Sequence, residues 1–501
     1  MRNNKALQPS PGFPMSANLL EDLEIAKFLQ RYFDSPEKYI TCDPQIIEAR
    51  NNICTSLLNN KDLTAAIEGL YESSIPLTQT ASVNENEPIL VIRRMLCIYK
   101  FYEAAMTLVK TIDASENLPD TFSEISNFLV ELLEKKYPAE LDGLWEKYAN
   151  GAEITGSMSY QINFSKNLTI DSLALTSVHS KKYVKSNIFN RTTGRDRMRA
   201  DSLLVLVPGH HSEMAQLIDP NKATTQLQRF SIAIQQILSG QTASVMNQLI
   251  HMERGIANEI REFSEELRFT IGLVKCAQNM KLHLPHVSFA SISSSEEGLL
   301  YAQKMVHPFL AEKVTVVPNN VSIGRGRELI LLGGTNRGGK TTYLRTMGVV
   351  QLLFQIGLPV PAAKAEISPA SGVFCVFSRG EDTELYQGKL GIELTELRDV
   401  ISIMGHNSMF LGNEPISGTS PLESYLLSKE ALCILKAKCG RGIWVTHLYE
   451  LFGDTTGLNE MDFGSRFNCM HVESANGGHN YVVLPGNPTN YSGAREVYEK
   501  M

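Results

Sequence analysis

The stretch Gly334-Thr-Asn-Arg-Gly-Gly-Lys-Thr341 limits this chain more than any other. It fits the pattern G-x-x-x-x-G-K-[ST], follows the apolar run Glu328-Leu-Ile-Leu-Leu332, and opens a helix predicted from about Lys340 to Gly357. A strand, a glycine-rich turn and a helix in that order aim successive backbone N–H groups and a helix N-terminus at one point, which is a seat for phosphate. Gly334, Gly338 and Gly339 let the backbone come close to the phosphates. Lys340 supplies a full positive charge at the β- and γ-phosphates, and the Thr341 hydroxyl is placed to bind Mg2+. The motif therefore predicts a nucleotide site.

A phosphate loop alone does not say whether the γ-phosphate is cleaved. Hydrolysis needs a group that orients or deprotonates water, usually an acid at the end of a neighbouring strand. After Pro285 short apolar runs, Ser408-Met-Phe-Leu411 and Gly442-Ile-Trp-Val445 among them, alternate with helical stretches. That alternation predicts a mostly parallel sheet covered by helices. The first of these strands runs into Asn413-Glu414, which makes Glu414 the candidate base and Asn413 the candidate metal neighbour. The second runs into His447, an imidazole placed to sense the γ-phosphate.

The first ~20 residues carry Pro9, Pro11 and Pro14 and read as a loose arm, 1–18. A helical core and lever region, 19–290, comes next, and the nucleotide domain occupies 291–501. Ile89, Ile92, Leu96, Tyr99 and Ala104 keep helical spacing behind Pro88, a first-turn proline. Residues 152–208 have β-character, with strands expected at Ser157–Phe164 and Ser202–Val207. Between them Lys181, Lys182, Lys185, Arg191, Arg195, Arg197 and Arg199 set seven positive charges against Asp196, with Tyr183 and Phe189 interleaved. This basic stretch is either a DNA contact or a solvated loop. No proline occurs between Pro220 and Pro285, and Leu249, Met252, Ile256, Ile260, Phe263 and Leu267 recur at steps of three and four. Long amphipathic helices are expected there, as a lever or a coiled-coil pair.

With 47 basic and 54 acidic side chains the net charge is −7, so a globally basic nucleic-acid coat is excluded and any contact with phosphate is local. The 43% apolar content is that of a folded chain. No apolar run approaches a membrane span of about 18 residues, and no apolar signal segment follows Met1, so a cytoplasmic protein without a membrane partner is expected. The eight cysteines form no C-x-x-C pair and read as buried thiols. His210 and His211 are adjacent in a loop and are not counted as metal ligands.

Four segments resemble the ATPase domain of the MutS DNA mismatch-repair family: Gly334 to Arg345, Gln355-Ile-Gly-Leu-Pro-Val-Pro-Ala362, Asn413-Glu-Pro-Ile-Ser-Gly-Thr-Ser420, and Val445-Thr-His-Leu-Tyr-Glu-Leu451. Asn336, beside Gly338 and Gly339, separates this loop from the generic one, and Thr342 continues it. The resemblance covers roughly residues 315–495. It implies an α/β P-loop ATPase domain of ABC type behind a mainly helical core and lever domain. It also implies ATP and Mg2+ as cofactors and a homodimer joined through the ATPase domains, with ATP binding and hydrolysis driving a clamp on mismatched or branched DNA. By the same resemblance Asn319 contacts adenine, Glu414 activates water, His447 reads the γ-phosphate, and Gly418-Thr419-Ser420 faces the partner subunit.

The departures matter too. Asn413 stands in place of the family's metal-binding aspartate and implies slow hydrolysis, while Val316 stands where an aromatic ring stacks on adenine. The trans-acting signature falls near Gly388-Lys-Leu-Gly-Ile-Glu393 and lacks its Ser-Thr pair. Helices begin within ~20 residues of the N-terminus, leaving no room for mismatch-reading and connector domains, and no helix-turn-helix tail follows Asn490-Tyr-Ser-Gly493. A shortened, divergent MutS-related protein is the expectation. The alternative is a nucleotide-gated protein-interaction clamp with little hydrolysis and no DNA substrate.

Overall fold

The computed structural model describes residues 5–10, 12–78, 88–135, 140–144, 157–164, 170–179, 220–324, 327–335, 337–378, 388–475 and 478–488. Besides single turns, helices α1 (Pro44–Asn59), α2 (Lys61–Thr78), α3 (Pro88–Asp113) and α4 (Asp120–Leu133) come first. The antiparallel pair β1 (Ser157–Phe164) and β2 (Ile170–His179) is next, then α5 (Pro220–His283). After it come β3 (Ser291–Ile292), β4 (Leu300–Met305), β5 (Asn319–Ile323), β6 (Glu328–Gly333), α6 (Lys340–Ile356) and β7 (Lys364–Ile367). The chain continues through β8 (Val373–Phe377), α7 (Lys389–Ile403), β9 (Ser408–Asn413), α8 (Pro421–Lys438) and β10 (Cys439–Val445). It closes with α9 (Glu450–Glu460), β11 (Arg466–Ala475) and β12 (Gly478–Pro485).

The chain divides into two compact units, one of Met1–Glu68, Ile112–Ile125 and Glu265–Met501, the other of Gly69–Thr111 and Ser126–Ser264. This division does not follow the boundaries 1–18, 19–290 and 291–501. N-terminal residues expected in an arm and a helical domain instead bury against the α/β portion. In the second unit the stripe read from the sequence is buried along α5 at Leu249, Met252, Ile256, Ile260 and Phe263. Phe263 meets Phe128 edge-on at 5.1 Å, Ser264 Oγ lies 2.9 Å from Ser74 Oγ, and buried Glu253 pairs with Arg94. The proline-free stretch forms one helix of 64 residues rather than a pair. The expected strand at Ser202–Val207 and the basic stretch at 181–199 lie outside the described residues.

In the first unit a six-stranded sheet has the order β12-β11-β6-β10-β9-β8, parallel from β11 to β8 with β12 antiparallel at one edge. Residues on one strand alternate between faces. Leu329, Leu331, Phe410 and Trp444 therefore join Leu397, Leu432 and Phe452 of the outer helices in one core. The other face takes α6, which is so close that a Cβ on Gly348 would meet Leu411 Cδ1 at 2.6 Å. A smaller sheet of order β3-β7-β4-β5 stands beside it.

Helix α6 is buried almost all round, and its far end explains the Gln355-to-Ala362 segment. Gln355 donates to the carbonyls of Thr41 at 2.8 Å and Ala370 at 2.9 Å. Gly357 ends the helix at φ +88, where a Cβ would run into the Arg50 side chain. Arg50 is fully buried and donates to the carbonyls of Ala6 (2.7 Å), Ile356 (3.2 Å), Gln8 (3.3 Å) and Tyr39. The described part of the supposed arm is also packed. Met15 bridges to Val373, and Ser16 Oγ accepts from Cys375 N at 2.8 Å. The reason is that β8 is an edge strand whose backbone groups need covering, and prolines are tolerated in the covering segment. Cys54, Cys276 and Cys375 are buried as expected, whereas Cys42 is exposed. Among the described residues no helix is long and apolar enough to cross a membrane.

Replacing Arg50 by Ala removes one partner from each of four carbonyls and leaves a cavity. Chemical denaturation should show a loss of about 3–5 kcal/mol, and a loss below about 1 kcal/mol would mean that the pin is not structural.

Candidate nucleotide site

All the parallel strands present their carboxyl ends at one edge, and the strand order decides which residues meet there. Strand β6 leads into the glycine loop, β10 lies beside it, and β9 lies beyond β10. Neighbouring strands stand about 4.8 Å apart, so His447, the second residue after β10, can bridge the segments that leave β6 and β9. The side chains obey this order. Lys340 Nζ lies 3.4 Å from His447 Nε2, and His447 Nε2 lies 2.9 Å from Glu414 Oε1.

One ring nitrogen cannot both accept from Lys340 and donate to Glu414. The hydrogen bond from His447 is the main cause that holds the Glu414 carboxyl below its usual range, against the effect of its burial. With Nε2–H given to Glu414, the approach of Lys340 is a contact, and its ammonium donates instead to the carbonyls of Gly334 at 2.9 Å and Thr335 at 3.0 Å. Burial pushes the Lys340 ammonium down to about 8, and the negative charge of Glu414 opposes that shift. Thr341 Oγ1 donates to Asn413 Oδ1 at 3.1 Å, which brings the two expected magnesium neighbours together.

A cleft of about 540 Å³ opens over the loop. Gly338, Gly339, Lys340, Thr341, Thr342 and Glu414 form its polar wall, and Met305, Leu310, Val314 and Val316 form the apolar one. Asn319 and Tyr481 stand at its lip. Gly334, Asn413 and His447 are set behind the wall and reach it through Lys340, Thr341 and Glu414 respectively. His447 also lines an adjoining cavity of about 180 Å³ that has Glu414 in its wall. Asn336 and the basic residues Lys181, Lys182, Lys185, Arg191, Arg195, Arg197 and Arg199 lie outside the described residues.

The cleft fits a nucleotide with magnesium on several grounds. Gly339 is the N-cap of α6 and offers no side-chain acceptor to the first turn, which leaves N–H donors for an anion. The Thr335 hydroxyl is buried with no hydrogen-bond partner. A Cβ on Gly338 would meet Thr335 O at 3.0 Å, so bulk is excluded where the backbone must wrap. Among the described residues no group of three or more His, Cys, Asp or Glu could hold a metal unaided. Thr341 and Asn413 are the residues that would hold a metal here.

Two features were not legible in the sequence. Tyr481 brings an aromatic ring over Gly339, where a Cβ would meet Tyr481 Cδ1 at 3.3 Å. The Asn319 amide donates to Tyr481 O at 2.8 Å and accepts from Val483 N at 2.8 Å, clipping β12 to the start of β5. Arg337, Glu414 and Tyr481 all hold left-handed backbone, at φ 62, 51 and 57. Such conformations cost about 1–3 kcal/mol each and gather at functional sites.

Residues 330–484 match the family model of MutS domain V. A DNA mismatch repair protein MutS from Synechococcus sp. (strain CC9902) is 32% identical over 226 residues, 44% of this chain and 24% of that protein. Another MutS, from Bacillus licheniformis, is 32% identical over 150 residues, 29% of this chain and 17% of that protein. Endonuclease MutS2 of Fusobacterium nucleatum is 29% identical over 167 residues, 33% of this chain and 21% of that protein. The chain thus spans less than a quarter of the length of these curated relatives.

Gly339→Ala forces a side chain into φ +98 against Tyr481 and should destabilise the chain by about 1–2 kcal/mol. Gly457→Ala, on an open face of α9, should instead stabilise it by about 0.5–1 kcal/mol. Denaturant titration of both variants reads the two signs.

Proposed function

We propose that this chain, whose residues 330–484 match the family model of MutS domain V, acts as a MutS-family protein: it binds and hydrolyses ATP with Mg2+ and uses the nucleotide to control its grip on mismatched or branched DNA. The observation that carries the reading is the row of Lys340, His447 and Glu414 beside a helix N-terminus that has no side-chain cap, with Lys340 and Glu414 on the wall of one cleft. The reading includes the P-loop, ABC-type fold for residues 291–501 and a homodimer through that domain.

The N–H groups of the loop and of the first turn of α6 would hold the triphosphate. Lys340 would leave the carbonyls of Gly334 and Thr335 for the β- and γ-phosphates. Thr341 and Asn413 would hold the magnesium ion, whose charge offsets the charge developing on the phosphate oxygens. Asn413 brings an amide oxygen and no charge, which favours slow turnover. Glu414 Oε1, held ionised by the His447 N–H, is the proton acceptor for the attacking water once that hydrogen bond is exchanged. Val316 and the ring of Tyr481 would take the base, and Tyr481 supplies the aromatic surface that Val316 lacks. The DNA half of the proposal rests on the family and on the basic stretch 181–199.

Phosphate beside Lys340 favours its charged form, so the complex binds more protons than the free protein. Affinity for Mg–ATP should therefore fall as pH rises through about 8, with proton uptake near pH 8 in calorimetry run in two buffers of different ionisation enthalpy. Affinity that stays flat from pH 7 to 9 would separate Lys340 from the phosphates. Lys340→Ala should abolish uptake.

Glu414→Gln should retain ATP binding and turn over about 100-fold more slowly or worse. Electrophoretic shifts with homoduplex, mismatched and four-way-junction DNA, each with and without Mg–ATP, test the rest. The expected result is a nucleotide-dependent shift whose salt slope flattens in the Arg195→Ala, Arg197→Ala double variant. No shift on any of the three at moderate salt would sink the DNA half and leave a nucleotide-gated protein clamp.

A further inference from the structure

The buried side chain of Glu393 lies on α7 and is not among the residues that line the cleft. Its Oε2 accepts from the N–H groups of Ser417 at 2.9 Å and Gly418 at 2.8 Å. Its Oε1 accepts from Ser417 Oγ at 2.7 Å and Ser378 Oγ at 3.4 Å, and Lys389 Nζ stands 3.9 Å away. The fit is tight. A Cβ on Gly418 would meet Leu390 N at 2.8 Å and Glu393 Oε2 at 3.1 Å.

These donors come from the ends of two strands. Ser378 follows β8, and its N–H donates to Asn413 O at 3.1 Å. Ser417 and Gly418 lie just beyond Glu414, whose backbone is left-handed at φ 51. Upstream, β9 and the hydrogen bond from Glu414 N to Val445 O, 3.0 Å, fix that conformation. Downstream the turn runs through Pro415 and buried Ile416 to Ser417, where Glu393 takes hold.

We propose that Glu393 is a positioning residue for turnover: it anchors the 415–418 turn and so keeps the Glu414 side chain aimed into the nucleotide cleft, without touching nucleotide itself. The inference rests on the reading of Glu414 as the base. A side chain that only filled the core would affect folding, but would not single out the chemical step or become silent when Glu414 is disabled.

The test uses the full chain and four variants: Glu393→Ala, Glu393→Gln, Glu414→Gln, and the double variant Glu393→Ala with Glu414→Gln. Steady-state ATP hydrolysis is measured beside equilibrium binding of a fluorescent ATP analogue. Glu393→Ala should lose at least about tenfold in kcat, with binding changed less than about threefold. Glu393→Gln should return to within about threefold of the parent chain, because its carbonyl can serve the two backbone N–H groups and its NH2 the two serine hydroxyls. The double variant should be no slower than Glu414→Gln alone, since groups acting as a unit are not additive.

Should Glu393→Ala fail to fold, Gly418→Ala, which presses on the same turn, replaces it with the same expectations. Unchanged kcat, equal losses in kcat and binding, or additive losses in the double variant would each overturn the proposal. Normal turnover in Glu414→Gln, or none in the parent chain, would instead sink the base assignment and the inference with it. Slow Glu414→Gln beside normal Glu393→Ala sinks the inference alone.

Discussion

A helix leaves the N–H groups of its first turn without partners inside the helix, and a buried helix has little water to offer them. Helix α6 is such a helix, and its N-cap, Gly339, brings no side chain. The structure around it is arranged to aim those donors at one place. The sheet packs on one side at Gly348, Gln355 ties its last turn to Thr41 and Ala370, and Arg50 gathers the carbonyls beyond it. Fixed at the far end and along its length, α6 can present its first turn to an anion without reorganising, which is where electrostatic pre-organisation is most effective.

Strand order does for the side chains what α6 does for the backbone. With β10 between β6 and β9, an imidazole comes between an ammonium and a carboxyl that belong to non-adjacent strands. Lys340 is parked on carbonyls of its own loop while Glu414 is parked on His447. In the roles proposed for them each would have to exchange its present hydrogen bond, and His447 lies within reach of both. On the proposed function, turnover would then be held back by the same contacts that assemble the site.

The loop, the strands that carry Glu414 and His447 and the buried stripe of α5 were legible because each is a local pattern: a glycine spacing, a short apolar run, a helical period. Gln355 to Ala362 was legible as a motif but not as a mechanism, since its reasons, Thr41 and Arg50, lie some three hundred residues away in the chain. Tyr481 was missed for that same cause, and Glu393 was read only as the end of the segment Gly388 to Glu393, without its partners. Their partners, Gly339 for Tyr481 and the turn after Glu414 for Glu393, are distant in the chain. The N-terminal prolines misled, because a segment laid along a sheet edge and a loose arm share a composition.

At the lip of the cleft the Asn319 amide laces the two sheets together. Asn319 spans the carbonyl of Tyr481 and the N–H of Val483, and both of its functional atoms are thereby spoken for. Its second N–H is also in use, on Val317 O at 3.3 Å, so a base that draws on the amide N–H would trade lacing for recognition. Loosening β12 would then accompany the reading of adenine, and the identity of the base would be felt at the sheet margin as well as in the groove.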